Sequence, residues 1–188
     1  MRYIIVAAVC RGRGLGREGA IPWKVPEDLR LFARMTKGHG GNAIVMGRTT
    51  WEGLPKHPLP GRANLVLSRS PDYQPGEGAT AFASIENLHE HCLKTEYKTV
   101  WVAGGAEVYA AFLESGLVDR CAITFIDSNH ECDTFFPKLG REWAVRMARP
   151  IKTEGNGYAE LRHLVRLEQR TTGTGKAALP SDRSTDCQ

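Results

Sequence analysis

Short apolar runs rich in β-branched residues recur along the chain at 3–9, 43–46, 64–68, 99–103 and 120–126, and stretches of helical spacing separate several of them. That alternation predicts an α/β protein built on a largely parallel sheet. Helices are expected near 27–36, 49–54, 84–94 and 106–115, the last with Val108, Tyr109, Phe112 and Leu113 at core spacing and Gly116 as its stop. The end of the chain reads differently. Runs at 143–148 and 158–168 flank Gly155-Asn156-Gly157, and the second sets Ala159, Leu161, His163, Val165 and Leu167 against polar neighbours, as a hairpin strand does. The fold expected over 1–170 is therefore a single-domain, mixed but mostly parallel central sheet with flanking helices and a C-terminal antiparallel hairpin. From 171 to 188 the composition turns to Thr, Gly, Ser, Lys and Asp, which predicts a disordered tail or a linker remnant.

One helix breaks its own pattern. At roughly 100° per residue, Leu31, Met35, Phe32, Thr36, Leu29 and Ala33 fall on one arc with Asp28 near its middle, while Glu27, Arg30 and Arg34 take the solvated side. A carboxylate held out of water costs several kcal/mol unless a cation or a set of donors pairs with it. No basic residue shares its side of the helix, so either a partner comes from elsewhere, the first turn frays, or the acid belongs to a functional site.

Composition narrows the classes. With 188 residues and 41% hydrophobic content, the chain is long enough for one real core. Its longest apolar runs fall far short of the roughly 20 residues that span a bilayer, so no membrane span is expected. Five cysteines, Cys10, Cys92, Cys121, Cys132 and Cys187, are odd in number and lack metal-ligand spacing, which suggests neither a disulfide framework nor a zinc site. A reducing, cytoplasmic setting is the reading. A net charge of +4 with dispersed basic residues argues against nucleic acid but leaves small polyanions as partners.

Three strand ends run into polar or glycine-rich turns: Met46-Gly47-Arg48-Thr49-Thr50, Leu67-Ser68-Arg69-Ser70 and Ala103-Gly104-Gly105-Ala106. The carboxyl ends of parallel strands form one rim where ligands bind, so these turns are expected to share a site. Free N–H groups at the helix start near Ala106 favour a phosphate, and Arg48 and Arg69 suit further ones. Together they outline a dinucleotide with three phosphates. Gly12-Arg13-Gly14-Leu15-Gly16 is not a Rossmann fingerprint, because Glu18-Gly19-Ala20-Ile21-Pro22 prevents a helix from opening behind it. The segment 15–23 reads instead as a mobile loop placed where a lid would be.

Five ordered blocks then carry a specific resemblance: Ile21-Pro22-Trp23 with Pro26-Glu27-Asp28; Ile44 through Glu52; Pro58-Leu59-Pro60-Gly61-Arg62; Gly104 through Tyr109; and Asp133-Thr134-Phe135-Phe136-Pro137. In order and spacing, from Met1 to about Glu168, the chain resembles dihydrofolate reductases. The resemblance implies NADPH as cofactor and dihydrofolate, including polyglutamylated forms, as substrate, with antifolate inhibitors at the same site and a monomeric enzyme. It assigns the pterin-binding acid to Asp28, the loop tryptophan to Trp23, ring-lining positions to Val6, Ala7, Phe32 and Leu54, the threonine behind the acid to Thr124, and the tail carboxylate to Arg62. To the cofactor it assigns Ala8, Leu15, Gly16, Gly47, Arg48, Thr49, Thr50, Ser68, Arg69, Gly104, Gly105, Ala106, Glu107, Val108 and Tyr109. Gly104-Gly105 resembles the family's cis glycyl pair. Glu107 stands where some bacterial members have an arginine, so phosphate contacts would fall to backbone N–H groups, Arg48 and Arg69. A reductase for another pterin or a pyrimidine, a nucleotide-binding module without catalysis, and the reductase half of a fused enzyme are the alternative readings.

Overall fold

The computed structural model describes residues 1–153 and 157–167. The turn at Gly155-Asn156 and the tail at 171–188 lie outside these described residues. The elements run β1 (Arg2–Cys10), β2 (Gly14–Gly16), α1 (Pro26–Lys37), β3 (Ala43–Gly47), α2 (Arg48–Glu52), β4 (Ala63–Leu67), β5 (Ala79–Phe82), α3 (Ile85–Thr95), β6 (Thr99–Val102), α4 (Ala106–Glu114), β7 (Val118–Ile126), β8 (Thr134–Phe135), β9 (Trp143–Ile151) and β10 (Ala159–Arg166).

Eight strands form one sheet in the order β5-β4-β3-β6-β1-β7-β10-β9, and β2 pairs with β8 in a small second one. The first six strands of that order are mutually parallel, and β10 and β9 close the sheet antiparallel. β1 lies between β6 and β7, with apolar side chains on both faces. Tyr3, Ile5, Ala7 and Val9 pack with Leu88, Cys92, Tyr109 and Phe112 of α3 and α4, while Ile4 and Val6 pack with Phe32, Met35 and Trp51 of α1 and α2. That double coverage explains why the run carries no polar alternation.

Local chemistry fixes the helix ends. Pro26 opens α1, where its missing N–H leaves no gap, and buried Asn42 donates from Nδ2 to the carbonyls of Thr36 and Lys37 at 3.1 and 3.3 Å. Ser84 caps α3 by accepting from the Asn87 N–H at 3.2 Å.

Three expectations change. Helix α2 spans Arg48–Glu52 rather than 49–54, so Leu54 lies beyond it in the following loop. Leu29 is 63% exposed, because it sits on the flank of the apolar arc in the first turn of α1. The alternation of β10 holds through Ala159 and Leu161, both buried, but a bulge between His163 and Leu164 leaves Arg146 without a partner and shifts the register with β9. Leu167, just beyond the end of β10, is exposed.

Candidate active site

Asp28 stands in the first turn of α1, facing the sheet. Its N–H donates at 3.0 Å to the carbonyl of Val25, which is buried and packed with Ile126, Ala159, Ala8 and Trp23. Burial pushes its carboxyl above its ordinary value, and the nearby Thr124 hydroxyl opposes that rise. Thr124 is buried on β7, paired in register with Ala8 of β1 and Leu161 of β10. Among the described residues no lysine, arginine or histidine forms an ion pair with Asp28. The acid is largely withdrawn from water and has no cationic partner among the described residues.

The apolar surroundings come from three elements. Val6 is buried on β1, and Phe32 of α1 and Leu54 after α2 are half-buried in the same cluster. Ala7 points to the opposite face with Tyr109, so of the ring-lining set it alone belongs to the other cluster. Tyr109 donates its buried hydroxyl to the Val6 carbonyl at 2.9 Å. Burial raises the Tyr109 hydroxyl strongly, with the Asp28 charge adding to it. It is a structural tie between α4 and β1, neutral at physiological pH.

Arg62 is reached through its loop. Asn64 is buried, accepts from the Leu59 N–H at 3.0 Å and donates to the carbonyls of Leu59 and Arg62 at 3.0 and 3.1 Å. The loop's His57–Pro58 bond is cis. Arg62 donates through Nη1 to the Thr36 hydroxyl and sits 5.8 Å over the Phe32 ring. Its Nε is buried with no hydrogen-bond partner, and burial lowers the guanidinium from its ordinary value. An unpartnered buried N–H on a fork fits an incoming carboxylate.

The rim forms where β3, β4 and β6 end. The Gly47 N–H donates to the Gly104 carbonyl at 2.7 Å, joining two of its turns. A Cβ on Gly47 would fall 3.1 Å from Val108 Cγ2, one on Gly104 3.0 Å from the Tyr109 hydroxyl, and one on Gly105 3.4 Å from the Thr50 hydroxyl. Glycine at all three positions permits this closeness. The Gly104–Gly105 bond is cis. Gly47 and Gly105, the caps of α2 and α4, offer no side-chain acceptor, so no cap side chain takes the first N–H groups of either helix, those of Ala106 and Glu107 included. With exposed Thr49 and half-buried Thr50, that donor set fits the phosphates of a dinucleotide.

The cationic side chains are less free than expected. Arg48 Nε pairs with Glu52 at 2.9 Å and its guanidinium stacks 4.8 Å over Tyr73. Arg69 reaches across the β3 turn to Glu107 at 3.5 Å. Ser68 is buried, and its hydroxyl accepts from the Ser70 N–H at 3.2 Å.

The glycine-rich segment is more ordered than a bare loop. Gly14–Gly16 forms β2 against β8, and the Asp133 N–H donates to the Gly16 carbonyl at 3.0 Å. The Asp133 carboxylate accepts from the Glu18 N–H at 2.7 Å, and Arg17 pairs with Glu131. Leu15 packs into the main core, and Trp23 rests 5.5 Å from the His130 ring. Asn42 and Asn64 carry no sequence signal, since their partners are nearby backbone groups that any residues supply, and the contact of Asp133 with Glu18 is hidden by the 115 positions between them.

An α/β sheet whose strand-end rim offers uncapped helix N–H groups, with a half-buried acid beside it that forms no ion pair among the described residues, fits an oxidoreductase of the NADP-dependent class. The family model for dihydrofolate reductase matches residues 2–166. A dihydrofolate reductase of Mycobacterium leprae is 42% identical over 134 residues, covering 69% of this chain and 76% of that one, and one of Aedes albopictus is 36% identical over 155 residues, covering 77% and 83%. A solved dihydrofolate reductase from Enterococcus faecalis, complexed with NADP(H) and RAB-propyl, superposes with a TM-score of 0.78 at 28% identity, covering 89% of this chain and 97% of that one. The chain belongs to the dihydrofolate reductase family.

Proposed function

We propose that this protein reduces 7,8-dihydrofolate to 5,6,7,8-tetrahydrofolate with NADPH, by hydride transfer to pterin C6 and protonation at N5, and so supplies one-carbon metabolism. The observation that carries the reading is Asp28: a half-buried carboxyl beside Thr124 that forms no ion pair among the described residues. The pterin 2-amino group and N3–H are the donors it lacks, so substrate completes the site. Bound NADPH supplies the hydride.

The chain supplies position and electrostatics. Asp28 orients the ring and polarises it toward protonation at N5, with the proton arriving from water rather than from the acid itself. Val6, Phe32 and Leu54 hold the ring faces, Ala7 borders the ring through its backbone alone, and Thr124 steadies the acid. Arg62 holds the glutamate carboxylate through Nε and its remaining fork. Gly47, Thr49, Thr50, Gly104, Gly105, Ala106, Glu107, Val108 and Tyr109 frame the phosphates by backbone and hydroxyl contacts, and Ala8, Leu15 and Gly16 frame the nicotinamide end. Arg48, Ser68 and Arg69 take the 2′-phosphate, the arginines exchanging exposed carboxylate partners for it. The 15–23 segment with Trp23 closes over the reacting atoms and regulates water. Polyglutamylated dihydrofolate and antifolate inhibitors are the other expected ligands of what we take to be a cytoplasmic monomer.

The test is optical. NADPH oxidation should require dihydrofolate, and Arg62→Leu should raise KM for dihydrofolate by about tenfold or more with a smaller change in kcat, the signature of lost ground-state binding. Oxidation independent of the pterin would refute the activity, and an unchanged KM would refute the role of Arg62.

A further inference from the structure

Two thiols meet under the base of the lid. Cys10, the last residue of β1, is fully buried, and Cys132, two residues before β8, is partly exposed. Their sulfurs are 3.7 Å apart. Gly14 closes over them so tightly that a Cβ there would fall 2.5 Å from Cys132 Sγ and 2.8 Å from Cys10 Sγ, so the missing side chain is what leaves room for the pair. The neighbouring contacts are those that hold the lid: Asp133 to Gly16 and to Glu18, and Arg17 to Glu131. The reading of Cys as five scattered residues could not show this, because 122 positions separate the two.

We propose that Cys10 and Cys132 form a reversible disulfide that locks the lid base and slows turnover, a redox switch that rests on the reading of 15–23 as the lid of the reductase. The oxidant is hydrogen peroxide. Cys132, the accessible member, attacks a peroxide oxygen as thiolate; the O–O bond breaks, the departing hydroxide takes up a proton and leaves as water, and sulfur carries a hydroxyl. Cys10 then attacks that sulfur, the S–S bond forms, the S–O bond breaks, and a second water leaves. Two thiols lose two electrons and two protons in all, and a dithiol reductant returns them. Burial and the neighbouring Cys10 raise the Cys132 thiol, so little thiolate is present at neutral pH and the attack on peroxide is slow. Once formed, the bond fastens the Cys132-Asp133 segment to the end of β1, and Asp133 holds Gly16 and Glu18 with it.

The experiment treats the full chain with hydrogen peroxide and reads three things: the peptide map, the rate of tryptic cleavage after Arg17, and turnover with and without dithiothreitol. The expected result is a peptide linking Cys10 to Cys132, slowed cleavage at Arg17, and turnover reduced by about threefold or more and restored by reductant. Cys132→Ser and Cys10→Ala should each abolish all three responses, and the exposed site of Cys132 keeps that variant informative should the buried one fold poorly. Oxidation that yields only sulfinate or other pairings would overturn the proposal, as would a linked peptide with unchanged cleavage and turnover. Map and cleavage need no substrate, so an untreated protein inactive toward dihydrofolate would refute the activity while these readouts still decide the switch.

Discussion

Asp28 destabilises the free protein for the reason it suits a ligand. A carboxyl raised by burial binds its proton more tightly in the folded chain than in the unfolded one. The favourable protonated form is fully present below the ordinary carboxylate range, and its contribution is lost as pH rises through the raised value. Asp28→Asn should therefore raise the thermal midpoint of the ligand-free protein at neutral pH, by about 2–4 °C for each kcal/mol relieved. That gain should vanish below about pH 3.9. A variant that melts earlier than wild type at neutral pH would mean that the carboxylate already has a strong partner. The helical projection alone made this residue visible, because period and polarity conflict at one position. Thr124, reached through the family resemblance, had no such conflict, since a threonine in a strand is ordinary. Asn42 and Asn64 stayed invisible for another reason: each binds backbone carbonyls, which any sequence supplies.

Among the elements, the long periodic ones were legible and the short ones were not. Helix α1 and strands β1, β3, β4, β6 and β7 fall where the apolar runs placed them, because each buries enough side chains to impose a pattern. Strand β5 is Ala-Thr-Ala-Phe at the sheet edge, with too little apolar character to stand out. Strands β2 and β8 are three and two residues long and exist only through each other. The segment proposed as the lid is consequently held at its base by a contact that sequence separation hides. Asp133→Ala removes the acceptor of the Glu18 N–H at 2.7 Å. The expected outcome is a loss of turnover of about threefold to tenfold with the global melting temperature nearly unchanged, since the contact is exposed. Stopped-flow and calorimetry on the variant check both halves, and wild-type turnover would remove Asp133 from the lid's control.

At the scale of the molecule, one parallel sheet brings the rim and the acid to the same end. The turns after β3 and β6 touch through Gly47 and Gly104, while Asp28 enters from the helix after β1. That convergence follows from strand order, which periodicity does not encode; the general rule for carboxyl ends of parallel strands and the family resemblance supplied it beforehand. Binding to the folded rim must stabilise the whole chain. NADPH at about 100 times its Kd should add about 2.7 kcal/mol and raise the midpoint by roughly 5–10 °C. NADH at equal concentration should add clearly less, because it brings no 2′-phosphate to Arg48 and Arg69. Equal shifts in a thermal-shift titration would remove those arginines from cofactor choice.

The most direct trial of the account is the pH profile of kcat/KM for dihydrofolate in wild type and Asp28→Asn, with the Kd for NADPH measured alongside. The account predicts a fall in the variant of at least about a hundredfold at neutral pH, with NADPH binding nearly intact. Near wild-type kcat/KM in Asp28→Asn across neutral pH would contradict it.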